Sequence, residues 1–196
     1  MRMQLVRHGK TFANEHGFYC GLTDSFVSPA GIVEINALKE SGKYAQAHLN
    51  FVSPLVRTHQ TFKEIFGHTD FIQVKEFSEF DFGHLEMKTD DEAMKIAGYA
   101  DWVNPGNVGA TCPGGENNID FNHRVMAKFS EIVSEATVFN TDICIVCHGG
   151  VISTIMFTLF ENERDHFYRW LPKGGEGYAL DYDKYGKLLS YSNIGL

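Results

Sequence analysis

The sequence predicts an α/β fold, namely a three-layer αβα sandwich with a mostly parallel central sheet and helices on both faces. Three observations lead to this prediction. Strand-like and helix-like segments alternate along the 196 residues. The run "DICIVC" is apolar throughout, as a buried strand is. Hydrophobic residues make up 43% of the chain, so we expect residues 1–196 to form a single globular domain.

The first half of the chain alternates strongly. "MQLVR" is the first predicted strand, and it leads directly into Arg7, His8 and Gly9. A helix follows in "SPAGIVEINALKESGKY", where Ser28 suits the N-cap and Pro29 the first helical position. "LNFVSP" is then a short strand, "LVRTHQTFKEIF" a helix and "DFIQVKEF" a third strand.

The second half begins with an irregular segment. Residues 80–115 are rich in Gly, Asn and Pro, with a helical patch from Asp90 to Tyr99, and predict a cap-like insertion. A long helix then presents a wide apolar face: Phe121, Val125, Phe129, Ile132 and Val133. "DICIVC" leads through His148, Gly149 and Gly150 into another helix. "YALDYD" and "KLLSYSNI" predict a hairpin at a sheet edge.

Composition excludes several classes of partner. The net charge is −8, from 17 Lys and Arg against 25 Asp and Glu, which argues against nucleic acid and anionic membranes as partners. No apolar stretch approaches the ~20 residues of a membrane span, and the first residues do not form a signal peptide. We therefore expect a cytoplasmic location, and any anionic ligand needs a local cluster of cations.

The cysteines do not predict a disulfide scaffold. Cys144 and Cys147 form a C-x-x-C pattern, but they lie in the strand "DICIVC". Side chains three residues apart on a strand point to opposite faces. We therefore interpret both as core thiols rather than as a redox or zinc pair.

Five chemically capable side chains follow the predicted strands. Arg7 and His8 follow the first strand, and Arg57 lies one turn into the helix after the second. Glu79 follows the third strand, and His148 follows "DICIVC". Because ligands of such sheets bind beyond the carboxyl ends of the strands, we expect all five at one edge of the sheet.

Each of the five also has an ordinary structural explanation. Arg7 could form a surface ion pair, His8 could be a satisfied buried histidine, and Arg57 could lie on a solvated helix face. Glu79 lies in a run of acidic residues, and His148 could simply suit a helix start. Only their shared position favours a common chemical role.

The chemistry that suits this set is phosphoryl transfer. Two guanidiniums can clamp phosphoryl oxygens and stabilise the charge that spreads over them in the transition state. One histidine can attack while neutral, the second can add positive charge if protonated, and a carboxyl can move the proton. This predicts a bell-shaped pH profile with an optimum from slightly acid to neutral. No metal-ligand spacing is visible, so no metal or other cofactor is expected.

Five blocks of sequence resemble, in order, those of the histidine phosphatase superfamily, the phosphoglycerate mutase-like proteins. They are "LVRHGKT", "FVSPLVRTHQT", "SEFDFGHLE", "PGGEN" with Phe121 and Arg124, and "VCHGGVI". The resemblance implies that His8 is the phosphorylated nucleophile and Glu79 the acid–base group. The positions that it assigns to phosphate binding are Arg7, Asn14, Arg57, His148 and Gly149, and Gly9 would also let the backbone approach the anion.

Three positions depart from the pattern of the superfamily. Lys10 stands where Glu is usual, Leu85 where Trp is usual, and Met87 where Gly is common. None of them is among the five core positions. The long insertion typical of the mutases is missing, which favours a phosphatase.

Within the phosphatases, "GFYCGLTDSFVSPAG", "FGHLEM" and the short insertion with Trp102 most resemble the alpha-ribazole phosphatases of cobalamin nucleotide-loop assembly. The implied substrate is a small phosphomonoester, alpha-ribazole 5'-phosphate. A broad-specificity small-molecule phosphatase, a phosphoglycerate mutase and a non-catalytic phospho-ligand module remain alternatives. Candidates for contact with the leaving group are Phe18, Tyr19, Tyr99 and Trp102, although loop aromatics often only pack. The strand "KLLSYSNI" offers an edge for a homodimer.

Overall fold

A mixed sheet forms the centre of the computed structural model, which describes residues 1–107, 109–163 and 166–195. Its strands are β1 (Arg2–Arg7), β2 (Leu49–Val52), β3 (Ile72–Gln73), β4 (Ile143–Cys147), β5 (Gly177–Tyr182) and β6 (Leu188–Ile194). Their spatial order is β3-β2-β4-β1-β5-β6. The first four are mutually parallel, β5 is antiparallel to β1, and β6 is antiparallel to β5.

Helices cover both faces of this sheet. They are α1 (Phe12–Glu15), α2 (Pro29–Glu40), α3 (Val56–Phe66), α4 (Asp90–Ala93), α5 (Tyr99–Trp102), α6 (Asn118–Phe139) and α7 (Gly149–Leu159). Short 3-10 helices lie at Lys75–Phe77, Gly83–Leu85, Glu161–Glu163 and Phe167–Trp170. Among the described residues, no helix is both long and apolar enough to cross a membrane.

Alternation along the strands assigns the helices to two layers. Leu5 belongs to the apolar cluster that includes α6 and α7, whereas the next residue, Val6, belongs to the cluster of α2 and α3. Cys144 and Cys147 are divided in the same way between the two clusters. Both thiols are free and fully buried, and burial raises the pKa of Cys144 to about 12. The predicted three-layer sandwich is confirmed.

The third predicted strand is wrong in its extent. "DFIQVKEF" forms only the two residues of β3, and a 3-10 helix begins at Lys75. β3 lies at the sheet edge and pairs with β2 alone, so few ladder bonds hold it extended. The chain instead turns to bury Phe77 in the α6–α7 cluster, and this burial decides the local conformation.

The segment 80–115 packs in the layer of α6 and α7. Its predicted helical patch is two separate short helices, α4 and α5. Its buried apolar residues join the α6–α7 cluster: Phe80, Leu85, Ala93, Tyr99 and Cys112. The sheet therefore has α6, α7 and the segment 80–115 on one face, and α2 and α3 on the other.

The start of α2 packs tightly on the loop that follows β1. Ser28 caps α2 by accepting from the Gly31 amide, and its own amide donates to Lys10 O at 2.8 Å. A Cβ on Gly31 would lie 2.3 Å from Lys10 O and 2.8 Å from Lys10 N. Backbone atoms cannot yield as the end of a flexible side chain can, so glycine here lets α2 approach the His8–Lys10 loop.

Alanine normally stabilises a helix relative to glycine. At position 31 we expect the opposite, so that Gly31→Ala lowers the free energy of unfolding. At the exposed helical position Ala37, Ala37→Gly should lower the free energy of unfolding by up to about 1 kcal/mol. Gly31→Ala should also lower it, by roughly 1–3 kcal/mol, because the added methyl group clashes with the Lys10 backbone. Urea titrations of both variants measure this, and a more stable Gly31→Ala protein would contradict the packing described.

Candidate active site

The parallel register of the sheet brings the candidate site residues to the same edge of the sheet. Arg7 pairs with Cys147 across β1 and β4, and the His8 amide donates to Cys147 O at 2.9 Å. On the other side of β4, the Ser53 amide donates to Val146 O at 3.1 Å. The residues that follow three neighbouring strands therefore meet at one edge, where the His8 and His148 ring centroids lie 5.1 Å apart.

Most of these polar side chains are buried. Arg57 and His148 are 0% exposed, and His8 is 4% exposed. The alternative that places Arg57 on a solvated helix face is therefore wrong: Arg57 lies on the buried side of α3. Within the described part of the chain, neither Arg7 nor Arg57 forms a salt bridge.

Backbone carbonyls hold the two guanidiniums in place. Arg7 Nη1 donates to Pro172 O at 2.7 Å. Arg57 Nη1 donates to Thr23 O at 2.9 Å, and its Nη2 donates to Gly21 O at 2.6 Å. Among the described residues, the Nε atom of each arginine is buried without a hydrogen-bond partner. Arg57 is thus fixed by both outer nitrogens and Arg7 by Nη1, and the inner N–H of each is left to bind another acceptor.

His148 presents a third donor of the same kind. Its Nε2 lies 2.7 Å from Ser53 Oγ, and its Nδ1 is buried without a partner. If the Ser53 hydroxyl donates to Nε2, the proton of the neutral ring is on Nδ1. A buried donor that makes no hydrogen bond costs about 1–3 kcal/mol. The two arginine Nε donors, together with His148 Nδ1 in that tautomer, indicate a site for an acceptor-rich anion.

His8 has the geometry of a nucleophile. Its Nδ1 lies 2.8 Å from Gly9 O, and because a carbonyl only accepts, this nitrogen carries the proton. A neutral ring then has its lone pair on Nε2. Burial, followed by the charges of Arg57 and Arg7, lowers the pKa of His8 well below its usual value. At neutral pH the ring is uncharged and able to attack.

His148 is neutral for similar reasons. Burial lowers its pKa well below the usual value, and Arg57, His8 and Arg7 lower it further. From the sequence, the second histidine was expected to add positive charge if protonated, and its lowered pKa disfavours that state before an anion binds. A phosphate dianion beside the ring would raise the pKa again, because an opposite charge favours the charged form.

Glu79 lies at the first turn of α7. Its Oε2 accepts from the Gly150 amide at 2.9 Å, and its Oε1 accepts from the Phe80 amide at 2.9 Å. A Cβ on Gly150 would lie 2.4 Å from Glu79 Oε1, and a Cβ on Gly149 would lie 3.2 Å from Arg7 Cζ. The two glycines therefore let a carboxyl group and a guanidinium pack side by side against the same helix end.

Arg124 holds the backbone on which Glu79 lies. Its Nη1 donates to the carbonyls of Glu76 and Ser78 at 2.7 and 2.9 Å, and its Nη2 donates to Glu79 O at 3.1 Å. Glu116 accepts from Arg124 Nε and Nη2 at 3.1 and 2.6 Å. From the sequence, both residues were only part of a motif; the structure shows that they fix the path of the chain into the site.

Two positions that the sequence analysis left without a role also contact the site. Ser53 orients His148, as described above, and the Thr61 hydroxyl accepts from the Gly9 amide at 2.8 Å. Both are polar residues that are fully buried. Ser53 directly follows β2, a position that the sequence marks, whereas Thr61 lies within α3 and nothing in the sequence points to its partner.

Asn14 has a local structural role. Its Oδ1 accepts from the amide and the hydroxyl of Thr11, both at 3.0 Å, and closes a capping box on α1. Its backbone amide donates to Thr11 Oγ1 at 3.3 Å, whereas its side-chain Nδ2 makes no hydrogen bond within the described residues. Contact between Asn14 and phosphate stays a prediction, and the free Nδ2 group could make it.

The aromatic residues expected at the leaving group form two separate groups. Tyr19 and Trp102 have ring centroids 6.2 Å apart, and Tyr99 and Trp102 have centroids 6.1 Å apart. The Tyr19 hydroxyl donates to Asp90 Oδ1 at 2.7 Å. Phe18 instead lies beside His16, with ring centroids 5.8 Å apart. The structure does not bring Phe18 together with the other three.

Two of the departures from the motif acquire a physical explanation. Lys10 Nζ lies 3.8 Å from Glu34 Oε1, so it pairs with α2 across partly exposed surface. Met87 has a φ of 59°, in the left-handed region that favours glycine. Leu85 is fully buried in the α6–α7 cluster.

Comparison with known proteins agrees with this geometry. The sequence model described as the histidine phosphatase superfamily, branch 1, matches residues 3–195. The adenosylcobalamin/alpha-ribazole phosphatase of Salmonella typhimurium is 30% identical over 92% of this chain and 90% of its own length. The alpha-ribazole phosphatase structure from Shigella flexneri gives a TM-score of 0.83 at 26% identity, covering 100% of this chain and 98% of that one. A phosphoglycerate mutase from Bacillus anthracis shares the fold, with a TM-score of 0.78 at 19% identity over 96% and 90% of the two chains.

The buried histidines predict a loss of stability in acid. Both have lowered pKa values in the folded protein, whereas an unfolded histidine titrates near pH ~6.5. From about pH 6.5 down to the folded pKa, the unfolded chain binds more protons, so the free energy of unfolding falls as the pH falls. Each histidine contributes up to about 1.4 kcal/mol per pH unit in that window.

Replacement of both residues, as His8→Gln with His148→Gln, should flatten this slope. Urea titrations at several pH values measure it, and His123→Gln on the exposed face of α6 is the matched control. An unchanged slope in the double variant would contradict the neutral, buried state described for both rings.

Proposed function

The chain belongs to the histidine phosphatase superfamily, and on this premise we propose that it hydrolyses a phosphomonoester through a phosphohistidine on His8, without a metal ion. One observation carries the proposal. Within the described residues, three buried side-chain nitrogens lack a hydrogen-bond partner, on Arg7, Arg57 and His148, and they lie at the same sheet edge as a neutral histidine. That is the arrangement that a phosphoryl group needs in order to be bound and attacked.

Binding depends on the local field of the site. The net charge of −8 repels an anion at long range, but Arg57 is fully buried and Arg7 is half-buried, so solvent screens their charges little. A phosphoryl group has enough oxygens to accept from both Nε atoms and from His148 Nδ1. The anion would thereby satisfy the groups whose burial is otherwise costly.

Transfer to the enzyme follows from the tautomer of His8. Its Nε2 lone pair attacks phosphorus, the bond from phosphorus to the ester oxygen breaks, and the leaving oxygen takes a proton from Glu79. The arginines stabilise the charge on the phosphoryl oxygens as it spreads in the transition state. The proton stays on Nδ1, and its hydrogen bond to Gly9 O stabilises the ring as it becomes positive.

Hydrolysis completes the cycle. Water attacks the phosphohistidine while Glu79 takes a proton from it, and the bond between His8 Nε2 and phosphorus breaks. Inorganic phosphate leaves, and His8 and Glu79 return to their initial protonation states. One carboxyl thus acts first as an acid and then as a base.

The donor set supports a reaction without a metal. In the described part of the chain, no group of three or more His, Cys, Asp or Glu side chains is arranged to hold a metal ion. The positive charge that a metal would supply comes here from two guanidiniums.

Alpha-ribazole 5'-phosphate is the substrate that the relatives favour. The Salmonella relative, matched over most of both chains, carries that activity in its name. A broad-specificity phosphatase, a phosphoglycerate mutase and a non-catalytic phosphate-binding module are distinguishable outcomes of one experiment.

A panel of phosphomonoesters tests the proposal. It contains alpha-ribazole 5'-phosphate, phosphoserine, 3-phosphoglycerate, and common sugar and nucleotide phosphates, with release of inorganic phosphate as the measurement. We expect kcat/KM to be highest for alpha-ribazole phosphate, by at least about tenfold. A tenfold ratio corresponds to a difference of about 1.4 kcal/mol in binding of the two transition states. His8→Ala should lower kcat at least ~10³-fold, whereas His123→Ala should retain activity.

Other results would overturn parts of the proposal. Equal kcat/KM across the panel would indicate a broad-specificity enzyme, and isomerisation of 3-phosphoglycerate without phosphate release would indicate a mutase. Phosphate binding without turnover of any ester would indicate a binding module. Loss of activity in excess EDTA, restored by a divalent metal, would contradict the metal-free mechanism.

A further inference from the structure

The Glu86 carboxylate binds three consecutive backbone amides. Its Oε1 accepts from Gly21 N at 3.0 Å and from Leu22 N at 2.9 Å, and its Oε2 accepts from Thr23 N at 3.2 Å. Successive amides that converge on one carboxylate form an anion-binding turn of the backbone. Glu86 thereby fixes the orientation of the whole tripeptide 21–23.

The other side of this tripeptide binds Arg57. The carbonyls of Gly21 and Thr23 accept from Arg57 Nη2 and Nη1 at 2.6 and 2.9 Å. Both outer nitrogens of the guanidinium are therefore held by a segment whose amides are held by Glu86. The inner Nε has no hydrogen-bond partner within the described residues, so its orientation depends on these two contacts.

We infer that Glu86 is a positioning residue for Arg57, acting through the backbone of residues 21–23. The inference rests on the proposed function, because it assigns Arg57 to phosphoryl binding. Among the described residues, the hydrogen bonds of Glu86 come from backbone amides and not from the histidines or arginines of the site. It determines where the Arg57 guanidinium lies, and so how well that group matches the transition state.

No other side chain in the described residues replaces this link. Asp24 Oδ1 accepts from Val56 N at 2.7 Å, and Gln60 Oε1 accepts from Val27 N at 2.8 Å. Both contacts hold the loop further along the chain. The amides of the tripeptide itself depend on Glu86, so their orientation should relax when its carboxylate is altered.

The packing around Gly21 supports a fixed rather than an adaptable loop. A Cβ on Gly21 would lie 1.8 Å from Phe80 O and 2.6 Å from Glu86 Oε1. Residue 21 is thus wedged between the backbone beside Glu79 and the carboxylate. Burial lowers the pKa of Arg57, and the charges of Glu79, Asp24 and Glu86 oppose this lowering.

Glu86→Gln is the sharpest variant. It keeps the size of the side chain but leaves one acceptor oxygen, and its NH2 group opposes a backbone N–H. We expect kcat/KM to fall at least about tenfold, since small misplacement of a substrate-orienting group is costly. Asp183→Asn is the matched control: Asp183 also accepts from two backbone amides, but in the β5–β6 hairpin, and the variant should retain full activity.

A double-mutant cycle separates positioning from general destabilisation. Arg57→Lys removes the guanidinium that Glu86 positions, so Glu86→Gln should cost much less in the Arg57→Lys background than alone. Residues that act through one group are coupled in this way, whereas independent losses add. The affinity for inorganic phosphate, measured by calorimetry, should show the same coupling without any turnover. Circular dichroism establishes that each variant is folded, and Glu86→Asp, which keeps the charge, replaces Glu86→Gln if that protein does not fold.

The outcomes distinguish this inference from the proposed function. Additive losses, or a Glu86→Gln protein with unchanged kcat/KM and phosphate affinity, would overturn the positioning role while a large effect of Arg57→Lys left the proposed function intact. An Arg57→Lys protein with unchanged activity, or a wild-type protein without phosphatase activity, would overturn the proposed function itself.

Discussion

The site depends on two guanidiniums, the half-buried Arg7 and the fully buried Arg57, that form no salt bridge within the described residues. Removal of a charge from water costs several kcal/mol unless other groups compensate, and Arg57 is fully buried. Here backbone carbonyls provide the compensation: Pro172 accepts from Arg7, and Gly21 and Thr23 accept from Arg57. Carbonyls stabilise the cations without neutralising them, so the positive field remains available to a phosphoryl group.

The same field determines the state of the histidines. Together with burial, it lowers the pKa of His8 and of His148, and a neutral His8 is what nucleophilic attack requires. Each group is then held by a further contact: His8 by Gly9 O, and His148 by Ser53 Oγ. Preorganised groups of this kind need no rearrangement as charge develops, which is how electrostatic stabilisation lowers a barrier.

How much the sequence could predict depended on the distance between partners along the chain. The sheet edge was predictable, because residues that follow parallel strands share a level, and Arg7 and His148 obeyed that rule. The burial of Arg57 was not, since it interrupts an apolar stripe on α3 and is buried only because the loop of residues 21–23 covers it. The 2.7 Å contact of Ser53 with His148 joins positions 95 residues apart, and no local pattern encodes such a pair. The length of β3 was overestimated. An edge strand pairs with one neighbour only, and the burial of Phe77 outweighs the hydrogen bonds of that single pairing.

In the proposed mechanism His8 attacks through Nε2, because its Nδ1 carries the proton that is donated to Gly9 O. The most direct test of this mechanism is rapid quenching of the enzyme with a phosphomonoester that it hydrolyses, followed by peptide mass spectrometry and ³¹P NMR of the denatured protein. The account predicts one phosphoryl group, attached to Nε2 of His8. A phosphoryl group on Nδ1, on another residue, or on no residue during turnover would contradict it.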